Sequence, residues 1–173
     1  GLGDVYKRQV IDLVKLMIRD SDNTATKMIT ERIGYGRLND LFVEMGLLNT
    51  NISPQSFRLN RNLVEDDSYT TPEDVVFLLN RIYKGEFISA DASGEMLEIL
   101  KLPKKRTRLG VHLPDEFELA HKTGLLRGAC HDAGIVFTPS GDYIICVMTE
   151  ENRSYRMAKR FISHIARLAF QTI

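Results

Sequence analysis

Two short polar segments carry side chains of the types that acyl-transfer chemistry uses. Ser21-Asp22-Asn23 supplies a hydroxyl, a carboxylate and an amide, and Lys122-Thr123-Gly124 supplies an ammonium, a second hydroxyl and a residue without a side chain. Acyl transfer from an amide needs a nucleophile, groups that relay protons and a wall that binds anions. Each tripeptide alone is a weak signal, because Ser-Asp-Asn is typical of a helix cap and Lys-Thr-Gly of a strand that enters a turn.

The first half of the chain has the apolar spacing of helices, and a break between the first two helices contains the first tripeptide. Thr71-Pro72-Glu73-Asp74 is a helix start, because Thr can cap, Pro fits the first turn and acids suit the positive end of the helix dipole. The polar segment 47–69 is too long for an ordinary connection, and such segments are often functional. The predicted helices are 10–19, 24–33, 36–45, 72–83 and 90–100.

The second half changes to the pattern of strands and contains the second tripeptide. Pro139-Ser140-Gly141-Asp142 predicts the turn of a hairpin, and the strands are apolar on both faces, so we expect a sheet that is covered on both sides. The predicted strands are 117–123, 133–138 and 143–149, followed by a helix over 152–170 whose expected buried stripe is Phe161, Ile165, Leu168 and Ala169. Helices, then an antiparallel meander, then a helix indicate an α+β fold.

Composition excludes several classes of function. The 173 residues carry 23 Lys and Arg against 23 Asp and Glu, so the chain has no net charge and is not expected to bind nucleic acid or a membrane surface. No apolar run approaches the roughly 20 residues that cross a bilayer. The four histidines lack metal-ligand spacing, and the strand register keeps Cys130 and Cys146 apart. We therefore expect no metal, no cofactor and no disulfide.

The first nine residues form a separate problem. Residues 1–9 are neither a signal peptide nor a predicted helix start, and residues 4–9 resemble the translation of a transposon-end adapter. We interpret 1–9 as a non-native tail; the alternative is an ordinary polar N-terminus. The remainder divides into a helical region over 10–102 and a region of strands with a final helix over 103–173.

Four segments in order resemble the class A β-lactamases and penicillin-binding proteins. They are the helix–loop–helix around Ser21-Asp22-Asn23, the segment Thr70-Thr71-Pro72, the strand with His121-Lys122-Thr123-Gly124, and the strand that begins Asp132-Ala133-Gly134. The resemblance runs from about residue 10 to the end of the chain. It implies a helical region beside an antiparallel sheet flanked by helices.

The resemblance also implies a role for each residue of the two tripeptides. Ser21 would pass a proton to the leaving nitrogen, and Asn23 would bind the substrate amide and the catalytic lysine. Asp22 would hold the loop through backbone bonds. Lys122 and Thr123 would bind the substrate carboxylate, and Gly124 would let the substrate lie close to the strand.

Two family motifs are absent. No Ser in the chain has Lys three positions later, so the S-x-x-K nucleophile is missing. We expect that it lies upstream together with two strands of the sheet, and that this chain alone hydrolyses no β-lactam. The E-x-x-L-N pattern, whose Glu activates the deacylating water, is missing from the segment around residues 57–67. Glu65 is the nearest acid there, in a cluster typical of a solvated turn.

The resemblance therefore implies a C-terminal fragment of a serine hydrolase that opens β-lactams through an acyl-enzyme, as in an antibiotic response. The alternatives are a D,D-peptidase or esterase of the same fold and a non-catalytic relative that binds cell-wall peptide. The expected partner is a small β-lactam or a cell-wall peptide. We expect a monomer located outside the cytoplasm, either periplasmic or secreted.

Overall fold

The computed structural model describes residues 2–57, 67–103, 107–126 and 128–172. The chain divides into two compact units, Gly1–Asp74 and Val75–Ile173. Among the described residues the helices are α1 Leu2–Arg19, α2 Asn23–Ile33, α3 Tyr35–Glu44, α4 Pro72–Tyr83, α5 Ala90–Leu100 and α6 Tyr155–Gln171. The strands are β1 Glu118–Leu126, β2 Ala129–Phe137 and β3 Tyr143–Thr149. The α+β class predicted from the sequence, with an antiparallel sheet flanked by helices, is confirmed.

Unit 1 is built from α1, α2 and α3, followed by the neck of a long loop. The loop is closed by an antiparallel bridge between Asn51 and Tyr69. Asp74, at the start of α4, accepts hydrogen bonds from the amide of Asn49 at 2.8 Å and from the Thr50 hydroxyl at 2.7 Å. These bonds satisfy a buried carboxyl group and fix the chain where the loop begins.

The N-terminal helix differs from the prediction. We expected it to begin at residue 10, whereas α1 begins at Leu2 and continues without a break to Arg19. The hydroxyl of Tyr6, inside the predicted tail, accepts a hydrogen bond from Arg32 Nε of α2 at 3.0 Å. Residues of mixed polarity extend a helix readily once a nucleus exists, because each added residue gains one backbone bond. The prediction that this segment is foreign concerns its origin and stays a prediction.

Unit 2 places helices on both faces of a three-stranded antiparallel sheet in the order β1-β2-β3. On one face, α6 and Leu109 pack on Cys130 and Val147. On the other, Val75 and Leu79 of α4 and Leu97 of α5 pack on side chains of all three strands. The expected covering of both faces is confirmed. This packing also explains why the units divide after Asp74 rather than after residue 102, since α4 and α5 belong to the core of the sheet.

The buried stripe of α6 matches the predicted one only in part: Ile165 packs against the core as predicted, whereas two other members of the stripe do not. Phe161 and Leu168 are 53% and 46% exposed, whereas Ala158, Ile162 and Ala166 are at most 4% exposed. The small side chains of Ala158 and Ala166, one turn on either side of Ile162, let the helix approach the sheet closely. The prediction of Phe161 and Leu168 as core was therefore wrong, because both faces of α6 carry apolar residues and hydrophobicity alone does not choose between them.

The cysteines lie apart, as the register predicts. Ala133 pairs with Cys146 and Cys130 with Thr149, and both thiols are free. The hairpin turn closes through Thr138, whose amide donates to Asp142 Oδ1 at 3.1 Å and whose hydroxyl donates to Gly141 O at 2.8 Å.

The neighbouring strand packs closely against Gly134 in the sheet. A Cβ added there would lie 2.6 Å from both Ala120 O and His121 Cβ. We expect Gly134→Ala to lower the free energy of unfolding by about 1–3 kcal/mol, because the backbone must move to relieve the clash. Urea unfolding measures the change.

The control for this variant is Gly94→Ala, in the middle of α5, where an added Cβ meets nothing within 4 Å. This change should raise the free energy of unfolding by up to about 1 kcal/mol, since Ala is the better helix former. Equal effects of the two variants would contradict the close approach at Gly134.

Candidate functional site

Asp22 holds the first tripeptide in the turn between α1 and α2. Its backbone amide donates to Leu16 O at 3.3 Å, and its Oδ1 accepts from the amide of Ala25 at 2.7 Å, so it is the N-cap of α2. The hydroxyl of Thr26 donates to Asp22 O at 2.8 Å. Such a cap satisfies a backbone donor that the helix leaves open. The turn is therefore fixed from both helices.

Ser21 and Asn23 flank this cap and are both exposed. Ser21 has a φ of +53°, in the left-handed region that its Cβ disfavours. Asn23 is the first residue of α2. The structure thus presents a hydroxyl and an amide on a rigid turn, with backbone strain stored at the hydroxyl-bearing residue.

The second tripeptide lies within β1, where Lys122 pairs with Ala133, Thr123 with Asp132 and Gly124 with His131. The Lys122 ammonium donates to Thr123 O at 2.9 Å. Lys122 is partly buried, and this burial together with the charge of Arg108 lowers its pKa, while Asp132 acts in the opposite direction. The strand therefore holds a cation whose charged form would be stabilised by an arriving anion.

Gly124 also has a packing role within the sheet. A Cβ at this position would lie 3.3 Å from His131 Cδ2, a tight contact on the neighbouring strand. The absence of a side chain therefore suits both the packing of β1 on β2 and the close approach of a ligand to the strand backbone.

Sequence reasoning missed Arg108. It begins a 3-10 turn, Arg108–His112, that precedes β1. Its side chain is only 5% exposed, and its Nε finds no partner among the residues that the structure describes. No pattern in the sequence distinguishes this Arg from the basic residues just before it, so only the packing reveals it.

The partner of Asp132 was also missed. Asp132 Oδ1 lies 2.9 Å from Nδ1 of His121, on the adjacent strand, although another histidine, His131, is its neighbour in sequence. His131 instead accepts from the amide of Thr149 at 3.2 Å, and burial lowers its pKa. The register of β1 against β2 would have identified this pair, because it places residues 121 and 132 diagonally on one face of the sheet.

The long loop contributes a serine near its neck. The hydroxyl of Ser56 donates to Asp67 Oδ1 and lies 2.8 Å from the Ser68 hydroxyl, while the amide of Ser68 donates to Ser56 Oγ at 2.7 Å. Leu59-Asn60 could end an E-x-x-L-N pattern, and counting back from them places Ser56 where the pattern has Glu. Glu65 and residues 58–66 as a whole lie outside the described residues.

The described ranges contain neither a candidate metal cluster nor a helix that could span a membrane. Within these ranges, no three His, Cys, Asp or Glu residues are grouped as a metal site would require. No helix in the same ranges has both the length and the apolar character that a bilayer crossing needs.

Comparisons with known proteins confirm the predicted β-lactamase-like fold. Residues 3–173 match the model of the family described as the Beta-lactamase enzyme family. The chain is similar to a β-lactamase from Sphaerobacter thermophilus, with 29% identity and a TM-score of 0.84 over 93% of this chain and 62% of that one. The chain is also similar to a class A β-lactamase from Bacteroides cellulosilyticus, with 26% identity and a TM-score of 0.81 over 93% of this chain and 62% of that one.

A third similar structure is a mutant of PBP-A, solved as an acyl-enzyme complex with penicillin G. It gives 31% identity and a TM-score of 0.84 over 94% of this chain and 61% of that one. The chain thus spans less than two thirds of each of these three proteins. A comparison with curated proteins finds no match.

The strain at Ser21 can be measured directly. We expect Ser21→Gly to be more stable than Ser21→Ala by about 1 kcal/mol in urea unfolding, because only Gly adopts a positive φ without steric cost. Both variants lose the hydroxyl, so their difference isolates the Cβ. An Ala variant as stable as the Gly variant would show that the backbone here is relaxed.

The lowered pKa of Lys122 predicts a dependence of stability on pH. Lys122→Met should raise the free energy of unfolding at pH 7, because the charged ammonium is less favourable in the folded than in the unfolded chain. Between the lowered pKa and the ordinary value of 10.5 the folded chain binds fewer protons, so the stability contributed by this group rises with pH. The advantage of Met should therefore shrink as the pH approaches 10.5.

Thermal unfolding of Lys122→Met and of the unaltered chain over this range of pH tests the prediction. Lys84→Met, which changes an exposed lysine in the same unit, is the matched control and should show no such trend. An advantage of Met at position 122 that grows with pH would contradict the direction of the pKa shift.

Proposed function

This chain belongs to the β-lactamase enzyme family, and on that premise we propose that it is part of a serine hydrolase of the class A type, which opens β-lactam amide bonds through an acyl-enzyme. The observation that carries the proposal is the partly buried ammonium of Lys122 on β1, preceded in the chain by the buried side chain of Arg108, whose positive charge acts with burial to lower the pKa of Lys122. β-Lactam substrates carry a carboxylate, and two cations in a partly desolvated place bind such a group more strongly than either would in water.

The roles of the individual residues follow from their chemistry and from the resemblance. Lys122 and Thr123 bind the substrate carboxylate, with Arg108 adding positive charge, and Gly124 leaves the strand backbone open to the substrate. In unit 1, Ser21 passes a proton to the leaving nitrogen, Asn23 binds the substrate amide and the catalytic lysine, and Asp22 keeps their turn in place through its cap. The sequence has no S-x-x-K, so the acylating serine has to come from residues outside it.

A second candidate function is a penicillin-binding D,D-peptidase or esterase that forms an acyl-enzyme and releases it slowly. The observation that favours it is Ser56 at the place of the deacylating Glu. A serine hydroxyl is a far weaker base than a carboxylate, so a water molecule beside it would be poorly activated.

By family we expect the protein to act outside the cytoplasm, either periplasmic or secreted, and as a monomer.

Acylation by a fluorescent penicillin tests the proposal in the chain joined to its upstream coding sequence. We expect a covalent adduct on the serine of an upstream S-x-x-K, and a rate of acylation that falls about 10- to 100-fold in Lys122→Ala, as loss of a charged hydrogen bond implies. Lys84→Ala is the matched control and should acylate normally. The 173-residue chain alone should neither acylate nor hydrolyse a β-lactam.

The same protein separates the alternatives. Rapid turnover of a chromogenic cephalosporin identifies a β-lactamase, whereas a long-lived adduct identifies the peptidase or esterase. If no adduct forms, and if the natural upstream sequence has another residue in place of the S-x-x-K serine, both enzymatic functions are contradicted. The protein would then be a non-catalytic relative that binds cell-wall peptide.

A further inference from the structure

The carboxyl group of Asp132 joins two elements that each lead to a cation. Asp132 lies on β2 and is fully buried. Its Oδ1 is 2.9 Å from His121 Nδ1, and its Oδ2 accepts from the amide of Leu109 at 3.2 Å. His121 directly precedes Lys122, and Leu109 directly follows Arg108. Both oxygens are thus used, one on each element.

The bond to His121 fixes β1 next to Lys122. His121 is 2% exposed, and because the facing residue Gly134 has no side chain, His121 lies directly against the backbone of β2. Successive side chains of a strand point to opposite faces, so locking the imidazole on one face sets the direction of Lys122 on the other.

The bond to Leu109 fixes the peptide after Arg108. Arg108 has a φ of +57°, a left-handed conformation that the surrounding structure must hold in place. The amide that donates to Asp132 belongs to the peptide bond between Arg108 and Leu109. Leu109 itself is 1% exposed and lies in the core beneath α6. The 3-10 turn is therefore anchored where its backbone is strained.

Arg108 and Lys122 each lie one residue from a group bonded to the same carboxyl, so their like charges repel, and this repulsion contributes to the lowered pKa of Lys122. A turn held only by packing could relax and separate them. We propose that Asp132 is a positioning residue that sets the spacing of Arg108 and Lys122 and so makes this site selective for a ligand carboxylate. The inference rests on the proposed function, because it takes the ligand to be the carboxylate of a β-lactam.

Two substitutions of Asp132 separate its hydrogen bonds from its charge. Asp132→Asn keeps an oxygen for the Leu109 amide and places an amide donor toward His121, which can accept in its other tautomer. Asp132→Ala removes both bonds. The readout is the ratio of acylation rates of a penicillin and of its methyl ester, measured in the chain joined to its upstream coding sequence.

We expect Asp132→Ala to acylate about tenfold more slowly with the penicillin and within about twofold of normal with the ester, so that the ratio falls. Asp132→Asn should keep the ratio within about threefold. On an Arg108→Ala background, Asp132→Ala should lower the ratio less than it does in the unaltered protein, because only the effect on Lys122 remains. The matched control is Glu95→Ala, which removes an exposed acid of α5 and should leave both rates unchanged.

An equal loss with both substrates would show that Asp132 only stabilises the fold, and this would overturn the proposal. An Asn variant as poor as the Ala variant would overturn it as well, because charge rather than the two bonds would then matter. Should Asp132→Ala fail to fold, Asp132→Ser replaces it: its short hydroxyl reaches at most one partner, and the ratio should still fall at least threefold.

A binding measurement separates this inference from the proposed function. Ring-opened benzylpenicilloate keeps the thiazolidine carboxylate of the penicillin, gains a second carboxylate from the opened amide, and needs no nucleophile. Its dissociation constant can be compared by calorimetry with that of the monoester in which only the thiazolidine carboxylate is blocked. Absence of acylation in the unaltered protein would contradict the proposed function alone. If penicilloate binding then failed to weaken in Asp132→Ala relative to Asp132→Asn, the positioning role would be refuted too.

Discussion

A buried carboxyl group has to find hydrogen-bond donors, and this requirement at Asp132 organises unit 2. Loss of its hydration would be costly without partners, so β1 and the turn before it must both come within reach. Asp132 bonds to His121 and to the Leu109 amide in this way. The apolar cores on the two faces of the sheet then stabilise an arrangement whose polar centre is already specified. A core of apolar residues alone would tolerate small slips of the turn, whereas this bonded centre does not.

The two tripeptides are positioned by different kinds of interaction. Asp22 fixes its turn by capping a helix, so the geometry of unit 1 depends on local backbone bonds. Lys122 is fixed by strand register and by burial, so the geometry of unit 2 depends on contacts between residues distant in sequence. The first kind of order survives many changes elsewhere in a chain. The second requires the whole sheet to be formed.

The same difference decides what could be predicted from the sequence. Helices α2 to α5 and strand β3 are recognised within a few residues, because caps, Pro72 and the breaks at glycines act locally. The His121–Asp132 pair, Arg108 and the true buried face of α6 escaped, because each depends on which distant residues come into contact. The extension of α1 to Leu2 escaped for another reason: residues 1–9 carry no helix-start signal of their own, and their helix propagates from the nucleus that follows them.

The left-handed backbone at Ser21 has a consequence for how this sequence can drift. Gly or Asn would adopt that backbone conformation at lower cost, so the backbone alone favours replacement of Ser. A Ser persists there only if its hydroxyl offsets that cost. Sequences of close relatives therefore contain a record of whether this hydroxyl is still needed, readable at a single codon without any assay.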